Sequence, residues 1–157
     1  MGCGGIDVVN VLGHEGTRVL GIDYGSKRIG LALSDPVGVI AQAFETIPND
    51  ENVLDRLNAI IATEGVRLVV VGMPLNLKGE RGHKSLEVDD FIVRLRDAIA
   101  IDVVEWDERF TSTLAQRSMR DLGTKKKKRA EKGRIDAMAA ALMLQSFLDR
   151  TKRSIGC

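Results

Sequence analysis

The run Arg18–Gln42, RVLGIDYGSKRIGLALSDPVGVIAQ, decides the architecture. Its first apolar stretch, Arg18–Asp23 (RVLGID), ends on an acid. A second, Arg28–Ser34 (RIGLALS), follows the link Tyr24-Gly25-Ser26-Lys27. A short polar link with glycine at its tight position reads as a hairpin turn. Asp35-Pro36 then separates a third β-type run, Gly38–Ile47 (GVIAQAFETI). Three strands joined by such short links predict an antiparallel meander.

Beyond this run the hydrophobic period changes. Glu51–Glu64 places Val53, Leu54, Leu57, Ile60 and Ile61 on one helical face, and Gly65 follows where a helix-terminating glycine sits. Val66–Gly72 (VRLVVVG) is almost continuously apolar, as expected of a strand buried on both faces. After a loop over Met73–Gly82, a second helix is predicted for Leu86–Ile99 and a fifth strand for Ile101–Trp106. A third helix is expected at Thr111–Leu122, then a basic loop, then an alanine-rich helix over Arg134–Asp149. The order β-β-β-α-β-α-β-α-α predicts an α/β fold. Its mixed five-stranded sheet has three antiparallel strands, then two parallel crossovers, and helices flank it. The expected organisation is one domain over residues 18–150, preceded by a flexible glycine-rich extension (1–17) and followed by a short tail (151–157).

Composition narrows the function. Aromatic residues are only 4% of the chain. The core must therefore come from Val, Leu, Ile and Ala, and a surface that stacks bases on rings is disfavoured. Cys3 and Cys157 are too few for a disulfide framework, and His14 and His83 lack partners at zinc-ligand spacing. No apolar run approaches the roughly 20 residues of a membrane span, and the N-terminus has no secretory pattern. The expected compartment is the cytoplasm. Neither a Walker A nor a G-x-S-x-G motif is present.

Net charge conceals an asymmetry. Lys125, Lys126, Lys127, Lys128, Arg129, Lys132 and Arg134 crowd into Thr124–Arg134 against the single acid Glu131. The whole chain has 23 basic and 22 acidic residues, so the remainder is net acidic. A cationic segment on an acidic body is a candidate polyanion contact, although such runs are often simply solvated.

Acids at element ends carry the chemistry. Asp23 closes the first strand, Asp107 and Glu108 close the fifth, and Asp136 falls in the predicted first turn of the last helix. Each has an ordinary use. Asp23 suits a turn, Asp107 and Glu108 suit a helix approach, and Asp136 suits a helix N-terminus. Their joint position is what matters, because sites in such sheets lie beyond the strand termini. Carboxylates gathered at one edge repel unless a divalent cation joins them, and Mg²⁺ prefers such oxygens. Two such ions can activate water and stabilise the leaving oxygen in phosphodiester hydrolysis. Strand alternation turns Asp107 and Glu108 to opposite sides, so one of the two faces the metal. Ala139 and Ala140 lie on the helical face of Asp136 and allow close approach to the sheet. Arg109, beside these acids, is a candidate phosphate contact.

The motifs RVLGIDYGSKRIGLALSDPVGVIAQ, VVVGMPLNLKG, WDERFTS and KKKKRAEKGRIDAMAAALMLQSFLD, in that order, resemble the YqgF/RuvX family. That family comprises pre-16S rRNA nucleases and Holliday junction resolvases. The likeness runs from about Arg18 to Arg150. It implies an RNase H-like fold, with Asp23, Glu108 and Asp136 as catalytic and metal-binding acids. It also implies Mg²⁺ or Mn²⁺ as cofactor, and it favours Glu108 over Asp107 as the middle ligand. Lys125–Lys128, Arg129, Lys132 and Arg109 would then hold the phosphate backbone. The implied substrate is precursor 16S rRNA, trimmed at its 5′ end, by a monomer or a homodimer. Branched DNA is the alternative, and a resolvase that cuts two strands symmetrically requires a dimer. A further alternative is an RNA-binding assembly factor with no catalysis. GIDYGSKRIG also resembles the first phosphate loop of actin-like and sugar kinase folds. Those proteins clamp ATP between two domains, and a chain of 157 residues supplies one.

Overall fold

A computed structural model describes residues 18–74, 82–107 and 129–155, apart from the side chains of 129–133 and 152–155. The sequence Arg18–Ser34 forms the expected hairpin: β1 (Arg18–Asp23) pairs antiparallel with β2 (Arg28–Ser34), with Asp23 opposite Gly30. β3 (Ala41–Pro48) continues the meander at the sheet edge. On the other side of β1, β4 (Val66–Met73) and then β5 (Asp102–Asp107) add in parallel. The sheet order is β3-β2-β1-β4-β5, with β1 at its centre. The parallel connections through α1 (Val53–Glu64) and α2 (His83–Ala98) bring the C-terminal ends of β1, β4 and β5 to one edge.

The two sheet faces are covered by different segments, and strand alternation separates them cleanly. Leu20, Ile22, Ile29, Leu31, Val69, Val71, Met73 and Val103 pack with Val53 and Leu57 of α1 and with Val88, Phe91, Ile92 and Leu95 of α2. Val19, Ala32, Leu68 and Val70 face the opposite way. They meet Ala140, Met143, Leu144, Phe147 and Leu148 of the long α3 (Arg129–Ile155). Every residue of β4 except Arg67 is buried, as its unbroken apolar run requires.

Several boundaries differ from expectation, each for a local reason. β3 begins at Ala41 rather than Gly38, because Asp35 holds the preceding residues in a turn. Its carboxylate oxygen Oδ1 accepts from the amides of Val39 (2.6 Å) and Ile40 (2.9 Å), and its carbonyl accepts from Gly38 N. Val37, Val39 and Ile40 are apolar but exposed in consequence. α1 starts at Val53 rather than Glu51, after a turn in which Asp50 Oδ1 accepts from the Asn52 amide. It ends as anticipated at Gly65, whose φ of 68° is the left-handed conformation that glycine tolerates best. α2 begins three residues before Leu86, at His83, and the buried Ser85 hydroxyl donates to the Pro74 carbonyl that closes β4. β5 is displaced one residue, from Ile101–Trp106 to Asp102–Asp107. α3 extends well beyond Arg134–Asp149 at both ends, so part of the expected basic loop is helix. Lysine, arginine and alanine are good helix formers, and together they outweigh the roughly 1 kcal/mol cost of Gly133. The expected helix at Thr111–Leu122 lies outside the described residues. No helix among the described residues is long and apolar enough to cross a membrane.

The Asp35 turn yields a pH-dependent test. Burial raises the pKa of this carboxyl, but the amides of Ile40 and Val39 together outweigh it and leave the pKa below the ordinary 3.8. A lowered folded pKa stabilises the fold above the ordinary value and stops doing so as the pH falls through the folded one. Asp35→Ala should lower stability by about 1–2 kcal/mol at pH 7 through loss of the two amide contacts. In urea titrations the gap to wild type should narrow as the pH falls below about 4. A gap that stays constant with pH would show that the charged form of Asp35 adds nothing.

Candidate active site

The residues after β1 form a braced turn. A side chain at Gly25 would put its Cβ 2.3 Å from the Arg28 carbonyl, so the chain doubles back too tightly for any other residue. Asn49, just past β3, clamps this turn: its Nδ2 donates to the Gly25 carbonyl (2.8 Å) and its amide donates to the Lys27 carbonyl (2.9 Å). Tyr24 packs its ring on Phe91 of α2, with centroids 4.9 Å apart. The backbone that follows Asp23 is therefore held by Asn49 at the strand ends and by Phe91 on the α1/α2 face.

Side-chain direction follows from register. Val19 belongs to the α3-side core, so Gly21 and Asp23, two and four residues on, face α3 as well. Gly30 is the Cα partner of Asp23 and shares that face. A Cβ at Gly30 would lie 2.1 Å from the carbonyl oxygen of Asp136 and 2.4 Å from its carbonyl carbon. The backbone of α3 thus rests directly on the strand beside Asp23. Gly21 makes room further along the helix for a side chain, since a Cβ there would lie 2.9 Å from Leu144 Cβ. Asp23 and Asp136, 113 residues apart in sequence, come to one face and one edge of the sheet.

Asp136 is not in the first turn of its helix. α3 begins at Arg129, so Asp136 sits in its third turn, outside the reach of the N-terminal dipole. Its partner is instead Arg28, at the start of β2: Nε donates to Asp136 Oδ2 at 3.0 Å. Ala140 is fully buried against the sheet, as the small residues on the Asp136 face suggested.

The other expected residues divide. Val103 packs on the α1/α2 side, and Trp106 on the α3 side, with its ring 5.4 Å from that of Phe147. Asp107 is the register partner of Met73, which is buried on the α1/α2 side. Asp107 therefore reaches the right edge but the face opposite Asp23. Glu108, Arg109 and Lys125–Lys128 lie outside the described residues. Arg129 and Lys132 are in the first turns of α3, and Arg134 is exposed two residues before Asp136 reaches the sheet. Among the described residues no three His, Cys, Asp or Glu side chains gather as a metal-holding group. Asp23 and Asp136 alone still form a hard, all-oxygen donor pair. That suits Mg²⁺ or Mn²⁺, which take one or two carboxylates and leave other positions to water and substrate phosphate. At Asp136 this edge already holds one cationic group, the Arg28 guanidinium.

Sequence reading missed Arg28, Gly30 and Asn49. Glycines inside the apolar strands at 21 and 30 were the available signal, since strand glycine often marks close backbone approach. Nothing local pointed to Arg28 or Asn49.

The meander, the two parallel additions and the helices on both faces make this an RNase H-like fold. The solved structure of T. thermophilus RuvC in complex with a Holliday junction substrate superposes with a TM-score of 0.52 at 17% identity, covering 86% of this chain and 96% of that one. The RuvX family, described as Holliday junction resolvase, matches residues 17–150. A relative from Sulfurihydrogenibium sp. (strain YO3AOP1) is 44% identical over 136 residues, 85% of this chain and 91% of its own. Another, from Acetivibrio thermocellus, is 45% identical over 139 residues, 84% of this chain and 95% of its own. Both carry the name "Putative pre-16S rRNA nuclease". The class is thus that of nucleases, hydrolases acting on the ester bonds of nucleic acid. Within it, the chain belongs to the RuvX family.

Gly30→Ala tests the contact that brings the two acids together. The added methyl meets helix backbone rather than a movable side chain, so α3 must shift. Overpacking of this kind costs about 1–3 kcal/mol. Denaturant titration should show that loss, and nuclease activity should fall further than the loss of folded protein explains. Unchanged stability and activity would mean that the helix is not seated on β2 at this point.

Proposed function

We propose that this chain is a divalent-metal-dependent nuclease that trims the 5′ end of precursor 16S rRNA in the cytoplasm. The observation that carries it is the seating of Asp136 against Gly30, the register partner of Asp23, which gives one sheet edge two carboxylates on a single face. Glu108 is the third acid of the proposal. It follows Asp107, whose side chain is on the other face, and strand alternation supports the neighbour as the metal-facing residue. The choice of rRNA rests on the names of relatives that match over more than nine-tenths of their own length.

Mg²⁺ or Mn²⁺ bound there would supply a Lewis acid for the scissile phosphate and lower the pKa of a coordinated water. Asp23, placed by the braced turn, and Asp136, placed by the helix contact, are the residues that would hold the cation. Lys125–Lys128, with Arg109, Arg129 and Lys132, take the phosphate backbone, which gives affinity and salt dependence but little sequence choice.

The deciding experiment uses purified protein with Mg²⁺ or Mn²⁺, labelled precursor 16S rRNA and four-way junction DNA. Wild type should cut the rRNA. Asp23→Asn and Asp136→Asn should each lower cleavage at least about a hundredfold while leaving binding intact, because several kcal/mol of transition-state stabilisation goes with the metal. Cutting of the junction alone, by a dimer, would move the assignment to resolvase, the activity in the family's description. Cleavage of neither substrate with any divalent ion would sink the enzymatic reading.

The lysine run has its own test. Changing Lys125–Lys128 to alanine should weaken binding and flatten the plot of log K against log salt by about 3, if each lysine covers one phosphate of a single strand. An unaltered slope would remove this segment from the interface.

A further inference from the structure

The Arg28–Asp136 pair stands out because stability alone gives it little purpose. The side chains are 39% and 31% exposed, and ion pairs so open to solvent contribute about 0–1 kcal/mol. Yet both ends are held with little slack. Arg28 is fixed in the β2–β3 ladder opposite Pro48, and its carbonyl closes the tight turn at Gly25. Asp136 is fixed by the contact of its backbone with Gly30. Arg28 lies two residues before Gly30 and so shares the face of Asp23 and Asp136. A guanidinium is thereby installed at the edge where two carboxylates converge, bonded to one of them through Nε at 3.0 Å.

We infer that Arg28 is a built-in counter-ion and positioning residue for Asp136, and that it sets how tightly the site binds a divalent cation. The inference rests on the metal-dependent reading above. Before a metal arrives, the guanidinium offsets the repulsion between the two acids and keeps Asp136 in its orientation. A metal ion must then share Asp136 with a cation already present. Arg28 therefore weakens metal binding while keeping the ligand in place. Its loss leaves the edge more negative and the ligand less ordered, so affinity and turnover move in opposite directions. A merely structural residue would lower both or neither.

The test measures Mn²⁺ binding by electron paramagnetic resonance on the full chain without nucleic acid, together with rRNA cleavage at saturating Mn²⁺. Arg28→Gln should bind Mn²⁺ roughly tenfold more tightly, the order expected from removing one charge beside a divalent ion in a partly solvated site. It should nevertheless cleave more slowly. Arg28→Lys keeps the charge without the planar fork. Its Mn²⁺ affinity should stay within about twofold of wild type while cleavage still falls, and it covers the case in which the glutamine variant fails to fold. Unchanged or weaker Mn²⁺ binding in Arg28→Gln overturns the inference while leaving the nuclease reading intact. If wild type binds no Mn²⁺ but cleaves, the metal-dependent reading and this inference fall together.

Discussion

The arrangement depends on one steric condition: α3 lies directly on the sheet, its backbone against β2 at Gly30 and its Leu144 side chain against β1 at Gly21. Two strand positions, Gly21 and Gly30, have no side chain on the face that α3 covers. Around them Leu144, Phe147 and Leu148 bury against Val19, Ala32 and Val70, and that burial holds the helix down. Apolar burial of this kind is the main favourable contribution available to so aromatic-poor a chain. It also determines where the polar residues go. At the end of the contact, the next positions along strand and helix are Asp23, Arg28 and Asp136. They gather at the edge because the apolar residues behind them are packed.

The opposite face does complementary work. α1 and α2 seal it with aliphatic side chains and Phe91, and Tyr24 crosses from the turn after Asp23 to lie against Phe91. Ser85 ties the start of α2 to the end of β4 through the Pro74 carbonyl. Asn49 ties the end of β3 to the turn after β1. These bonds connect strand ends at the site's edge to one another, so the edge is braced as a unit.

Much of this was legible in the residues. Periods of two and of 3.6, with turn residues between them, gave all five strands in their order and both crossover helices. Asp23 and Asp136 could be singled out because acids at element ends have somewhere to converge. What escaped depended on non-local information. Val39 and Ile40 read as strand because they are apolar, and only the Asp35 carboxylate bonding to their amides shows that they form a turn. The first residues of α3 read as loop because they are basic, although basic residues favour helix about as well as apolar ones do. Alternation shows that Asp107 and its neighbour diverge. Only the packing of Val103 and Trp106 shows that Asp107 takes the side away from Asp23. Arg28 carries no local mark at all, since its role comes from a register that pairs Asp23 with Gly30 and a helix that arrives more than a hundred residues later.

That separation has a consequence for the life of the chain. The Arg28–Asp136 bond spans 108 residues, nearly the whole fold. Chains emerge from the ribosome at about 5–20 residues per second, N-terminus first, and contacts of long sequence separation form last. The meander, β4 and β5 can pair while the final helix is still being made, but Asp23 must wait for Asp136. A nascent chain that lacks α3 carries Asp23 on a sheet face not yet covered. The juxtaposition of Asp23 and Asp136 is thus among the last features of the fold to form.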